Sequence, residues 1–218
     1  MNAGPGDQFV RAVRRDDLRR VPAREGRSEV REKASRFFGF AERAIDAAAA
    51  EDFLDRLRRE YHDATHLAFA WQLGQPGAES VRSSDAGEPS GTAGRPIAAA
   101  IASSGLTDVA VAVVRYYGGT KLGTGGLARA YRDAAYGALA ACGSAEVYET
   151  VRIEARPSHA RIGVVRRLID PPHVRLAAER FDPEPVLELE VRKSRAEKVT
   201  AKLTEERIAF RASDSRSP

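Results

Sequence analysis

The chain has 218 residues, enough for one large or two small domains with cores of ordinary size. Its 43% hydrophobic and 30% charged residues exclude global disorder, and its formal charge of +4 is too small, with acids interleaved throughout, to mark nucleic-acid binding by itself. The apolar run 109–114 is far shorter than the about 20 residues a membrane helix needs, no apolar signal stretch opens the chain, and the single cysteine, Cys142, permits neither an internal disulfide nor a multi-cysteine zinc site. A cytoplasmic protein is expected.

Residues 1–27 mix Pro, Gly and charge and read as an arm ending in a first strand. An α/β domain is expected over 28–143. Within it, 35–40 reads as a strand, 51–60 as an amphipathic helix with Phe53, Leu54 and Leu57 on one side, and 66–73 as a strand. Gly74-Gln-Pro-Gly77 reads as a turn returning a short strand near Val81. A polar loop over 83–95 leads to a helix over 96–104 with Gly105 as its stop, then a buried strand over 109–114 and a helix over 127–141 ended by Gly143.

A third region, 145–212, repeats a simpler rhythm: strand 147–155, helix 158–169 stopped by Pro171-Pro172, and strands 174–181 and 186–191 joined by Asp182-Pro-Glu-Pro185. A helix capped by Ser194, with Glu197 in the capping-box position, runs to about Glu206, and 208–211 is a last strand. The order β-α-β-β-α-β is the ferredoxin-like arrangement, so the chain as a whole is read as α+β.

Two loops carry the chemistry. In 115–131, RYYGGTKLGTGGLARAY, glycines stand where a strand hands over to a helix. The letters Gly123-Thr-Gly125-Gly-Leu-Ala128 imitate a dinucleotide fingerprint, but the strand ends too early and no alternating parallel β-α units surround it. A Walker loop fails because Lys121 lies between Thr120 and Leu122. What remains is an anion receptor: amides at Gly125 and Gly126, the positive end of the following helix, and the cations Arg115 and Lys121, with Tyr116 beside them. Arg129, Arg132 and Tyr136 follow on one helix face, a combination that suits RNA. Equally, the glycines could serve close packing and the arginines a wet helix face.

The second loop, SSDAGEPSGTAGRP over 83–96, places Asp85, Glu88, Ser90 and Thr92 downstream of His66. A hydrolase would use Ser90 or Thr92 as nucleophile, His66 as base and Asp85 as orienting acid, but a nucleophile elbow needs glycines where Glu88 and Thr92 stand. A metal site of His66, Asp85 and Glu88, with Asp63 nearby, lacks paired ligand spacing. The plainer reading is a hydrogen-bonded loop that caps the following helix. No metal and no cofactor are expected.

Three segments, 64–66, 84–94 and 114–127, occur in an order and spacing that resemble the YigZ/IMPACT family, over about 28–142, and the tail resembles the extra C-terminal domain of its bacterial members. The resemblance implies a first domain like the second domain of a small-subunit ribosomal protein and a tail like the closing domains of translation elongation factor G. In eukaryotic relatives the family is tied to restraint of a starvation-sensing translation kinase through a separate RWD domain; the chain starts too near the shared domain for one, so that role is not expected here. Two positions depart from the family pattern, Ala86 for an acid and Leu67 for a polar residue.

The expectation is thus a non-enzymatic, cytoplasmic RNA- or ribosome-binding protein acting in regulation of translation, with no membrane partner and no DNA sequence specificity. The alternative is an enzyme or sensor for a small phosphorylated or carboxylated ligand held between the two loops by His66, Asp85, Glu88, Ser90 and Thr92.

Overall fold

The computed structural model describes residues 18–75, 77–181 and 183–214. The arm expected over 1–27 therefore lies mostly outside the described residues, as do Pro76 of the expected turn and Asp182 of the expected connection. The chain divides into two units, Arg19–Val147 and the tail from Tyr148.

In the first unit the elements are β1 (Leu18–Val21), β2 (Gly26–Glu32), β3 (Ser35–Arg43), α1 (Ala47–Glu60), β4 (His66–Leu73), β5 (Ser80–Ser84), α2 (Gly94–Ser104), β6 (Val109–Tyr116), α3 (Gly123–Cys142) and β7 (Ala145–Tyr148). β1 pairs with β7, and the others form a five-stranded antiparallel sheet in the order β2-β3-β6-β4-β5. β6 is the middle strand and is buried from Val109 through Arg115. Such a strand is apolar on both sides because both sheet faces are covered. Val109, Val111 and Val113 face α2 and α3, together with Ile97, Leu127 and Tyr131. Ala110, Ala112 and Val114 face α1, with Phe53, Leu54 and Leu57. Burying each large apolar side chain contributes about 1.5–3 kcal/mol before entropy is counted.

Three helices of this unit start earlier than expected, α2 by two residues at Gly94. α1 begins at Ala47 because Asp46 caps it, its Oδ1 accepting the Ala49 amide at 2.8 Å, and an alanine run has the best helix propensity. α3 begins at Gly123, although glycine disfavours helix, because tertiary packing of Leu127, Ala130 and Tyr131 outweighs that preference. α3 also approaches β3 so closely that a Cβ on Gly39 would lie 2.3 Å from the Ala134 carbonyl oxygen. α2 ends as expected at Gly105, which takes the left-handed conformation at φ 67°.

The second unit contains β8 (Thr150–Arg156), a 3-10 turn (His159–Arg161), α4 (Ile162–Arg166), β9 (Val174–Phe181), β10 (Pro185–Arg192), α5 (Lys193–Glu205) and β11 (Ala209–Asp214). The sheet is antiparallel, ordered β11-β8-β10-β9, which is the ferredoxin-like arrangement. Ile153, Leu187, Leu189, Val199 and Leu203 form its core. Three local expectations are corrected. The strand over 147–155 is two strands, β7 and β8, with different partners. The helix over 158–169 shrinks to the 3-10 turn and α4, since Val165 is the sole fully buried residue of that pair of turns. Finally, α5 leaves β10 directly with Arg192 in the capping position, so Ser194 falls inside the first turn.

Among the described residues no helix is long and apolar enough to cross a membrane.

Candidate functional site

β6 hands over to α3 through residues 117–122, and the geometry there follows from one close contact. A Cβ on Gly118 would lie 1.9 Å from the Ala34 carbonyl oxygen, so only glycine lets the loop rest on the β2–β3 turn. That contact brings Lys33 of the turn to the loop, where its Nζ donates to the Lys121 carbonyl at 3.3 Å. Leu122 stands in the capping position of α3 and offers no side-chain bond, and the first turn holds no acid. The N–H groups of Gly123, Thr124 and Gly125 thus lack intrahelical acceptors. Gly126 is the first residue placed to bond within the helix, four residues beyond Leu122. Open space surrounds Gly125, where an added Cβ would meet nothing within 4 Å.

Lys33, Lys121 and Arg129 are exposed and form no ion pair among the described residues. Arg132 is exposed as well but rests on its neighbour Asp133 at 3.2 Å. Tyr136 is exposed further along α3. Lys121, Gly125, Gly126, Arg129 and Arg132 therefore belong to one helix and the loop before it. Lys33 joins them through its side-chain bond to the Lys121 carbonyl, 88 residues away in the chain, and nothing in the local sequence signals that contact.

Arg115 and Tyr116 lie elsewhere. Strand alternation puts Arg115 on the same sheet face as Val113, beneath α3, and Tyr116 on the opposite face. The Tyr116 hydroxyl donates to Asp63 Oδ1 at 2.7 Å, which pushes its pKa up to about 12 and lowers that of Asp63.

Arg115 anchors a buried polar cluster with the second loop. Its Nη1 donates to Glu88 Oε1 at 2.6 Å, and the Tyr131 hydroxyl of α3 donates to the same oxygen at 2.7 Å. Burial first, and then the Glu88 bond, hold the Tyr131 hydroxyl far above its ordinary pKa. The guanidinium lies over the rings of Phe37 and Tyr117 at 5.4 and 5.3 Å. His66 Nδ1 is 2.9 Å from the Ala86 carbonyl, which leaves Nε2 facing Glu88 at 3.9 Å.

Asp85 bonds to its own loop. Its Oδ1 accepts the amides of Ala93 and Gly94 at 2.9 and 2.8 Å, and Oδ2 accepts that of Gly91 at 2.8 Å. It thereby caps α2 from nine residues away. Burial raises its pKa, but these three donors and the nearby Arg95 charge bring it below the ordinary value. Thr92 Oγ1 donates to the Pro89 carbonyl at 2.6 Å, and Ser90 is exposed. The His66 bond runs to Ala86, whose carbonyl a left-handed backbone at φ 48° presents, so the weighed Asp85–His66 pairing is not formed. Leu67, partly buried, packs against the apolar layer under α1. Among the described residues no group of three or more His, Cys, Asp or Glu side chains is placed to hold a metal ion.

Residues 33–139, which carry both loops and Lys33, match the Impact N-terminal domain. The chain is 44% identical over 100 residues to the IMPACT family member YigZ of Escherichia coli, a match that spans 45% of this chain and about half, 49%, of that relative. Similarity to an IMPACT family member of Haemophilus influenzae is broader, 32% over 175 residues, covering 79% of this chain and 84% of the relative. Among solved structures, the crystal structure of a hypothetical protein superposes with a TM-score of 0.68 at 26% identity, over 92% of this chain and 99% of that one. With that breadth of identity, and with the two glycine-bearing loops inside the matched domain, the chain belongs to the IMPACT family.

Proposed function

We propose that this protein binds RNA, in the ribosome or free, through the N-terminal end of α3, and that it acts in regulation of translation without chemistry of its own. The observation that carries this reading is the first turn of α3, where no side chain caps the helix and the exposed amides of Gly123, Thr124 and Gly125 lack intrahelical acceptors, beside Lys33 and Lys121, neither of which forms an ion pair among the described residues. Amides at a helix start favour phosphate, and neighbouring cations add the long-range attraction that a polyanion feels most. Arg129 extends the positive face along the helix. The resemblance in the sequence, which implies domains like those of a small-subunit ribosomal protein and of elongation factor G, supports the same class of ligand.

The reading of a small ligand between the two loops is less favoured. Glu88, Arg115 and Tyr131 satisfy one another, and Asp85 spends both oxygens on loop amides.

The test is binding of the full chain to ribosomal RNA fragments as salt rises from about 50 to 200 mM. Affinity that falls steeply across that range, and that drops further in Lys33→Glu with Lys121→Glu, is the expected outcome. Binding that ignores salt, or that survives both charge reversals unchanged, would refute the proposal.

A further inference from the structure

The ferredoxin-like unit holds a groove of about 750 Å³ between α5 and the connection from α4 to β9. Its size is that of a small-molecule site. We propose that this groove binds a singly headed phosphorylated small molecule with an apolar or aromatic body, of the nucleoside monophosphate size class. The inference is independent of the RNA reading, because every lining residue belongs to the unit from Tyr148 onward and none to α3.

Three observations define the ligand. The floor is apolar, with Leu168, Ile169, Val174 and Val199 lining it, and Val174 and Val199 are themselves buried. One wall is a single face of α5, since Arg195, Lys198, Val199 and Lys202 stand at helical spacings of three and four. Arg195 to Glu205 spans about 15 Å at the rise of an α-helix, long enough for a base, a sugar and one phosphate.

Charge along that wall is uneven. Arg195 lies in the first turn of α5, where the helix dipole adds positive potential, Lys198 follows one turn on, and neither forms an ion pair among the described residues. Arg167 adds from the opposite wall a third cation that forms no ion pair among the described residues. Toward the other end, Lys202 is taken by Glu205 at 2.9 Å and by Glu206 at 3.4 Å, so it is neutralised. The groove therefore has one cationic stretch, fit for one anionic head. Asp170 also lines it and offers a carboxylate acceptor for a ring or amino N–H, while it repels a second anionic head. An apolar floor, a hydrogen-bond acceptor and a cationic patch together match a nucleobase carrying a phosphate better than they match inorganic phosphate or a dicarboxylate.

The experiment is a titration of the isotope-labelled full chain with adenosine 5′-monophosphate, followed by amide chemical shifts. Saturable shifts confined to residues 167–174 and 193–203 are expected. Arg195→Glu with Lys198→Glu, both at solvent-reachable positions, should weaken binding by about tenfold or more while leaving the spectrum of a folded protein. Lys33→Glu with Lys121→Glu should leave it unchanged, which keeps a failure here distinct from a failure of the RNA reading. Shifts that are absent or spread over the chain, equal shifts from inorganic phosphate alone, or indifference to the α5 charge reversals would each overturn the assignment. So would displacement of the nucleotide by a short RNA that occupies the same residues more tightly.

Discussion

Arg115 Nη1 and Glu88 Oε1 meet at 2.6 Å in a place where both side chains are almost wholly buried. This pair ties the middle strand of the sheet to the 85–93 loop, and Tyr131 ties α3 to the same carboxylate oxygen. A buried charge pair contributes little relative to an apolar replacement of both partners, but removing one partner strands the other. Arg115→Ala is expected to cost about 3–5 kcal/mol. The double variant Arg115→Met with Glu88→Met should cost clearly less than the sum of its singles. Trp71, the one tryptophan and a buried residue of this unit, reports the transition in urea. Additive costs in the double variant would contradict this account.

Asp85 makes the same loop sensitive to acid. Its folded pKa is lowered, so its contribution is present above the unfolded value and is lost as pH falls through the folded one. Amide protection at Gly91, Ala93 and Gly94 should therefore decrease below about pH 4. Asp85→Ala should remove that protection at neutral pH as well. Protection in the native chain that stays constant down to about pH 2 would speak against this role.

Gly118 in the β6–α3 loop and Gly125 in the first turn of α3 should respond in opposite ways. Gly118→Ala drives a Cβ into the Ala34 carbonyl and should destabilise the unit by about 1–3 kcal/mol, with loss of the Lys33–Lys121 contact. Gly125→Ala meets only open space and should be neutral or stabilising by up to about 1 kcal/mol. Melting temperatures of the two variants decide the matter. Equal effects would mean that the loop does not rest on the β2–β3 turn.

RNA binding should separate Arg129 from Arg132. Arg129 is free to meet phosphate, whereas Arg132 is already shared with Asp133. Reversal of Arg129 is expected to weaken affinity and flatten the salt dependence by about one phosphate contact. Reversal of Arg132 should do less. A larger loss from Arg132 would relocate the contact to a different part of α3.

Much of this protein was legible in its residues. Alternation set β4, an unbroken apolar run set β6, the run Ser35-Arg-Phe-Phe-Gly-Phe announced β3, and Gly105 and Gly143 marked two helix ends, because strand and helix patterns and glycine's backbone freedom are local properties. The β-α-β-β-α-β order of the tail, and the segments that resemble the family, were readable for the same reason. Arg115 shows the limit. Beside Lys121 in a glycine-rich stretch it reads as a ligand-facing cation, yet the pleat of β6 aims it under α3 and toward Glu88, 27 residues away in the chain. The 83–96 loop caps the following helix as its polar residues imply, with Asp85 as the capping residue. Which of two neighbouring cations faces water, and that Lys33 joins Lys121, are instead consequences of segments brought together by burial of the two sheet faces. Local propensity encodes the elements, while the partners of a charged side chain are chosen only when the sheet closes and decides which charges lose their water.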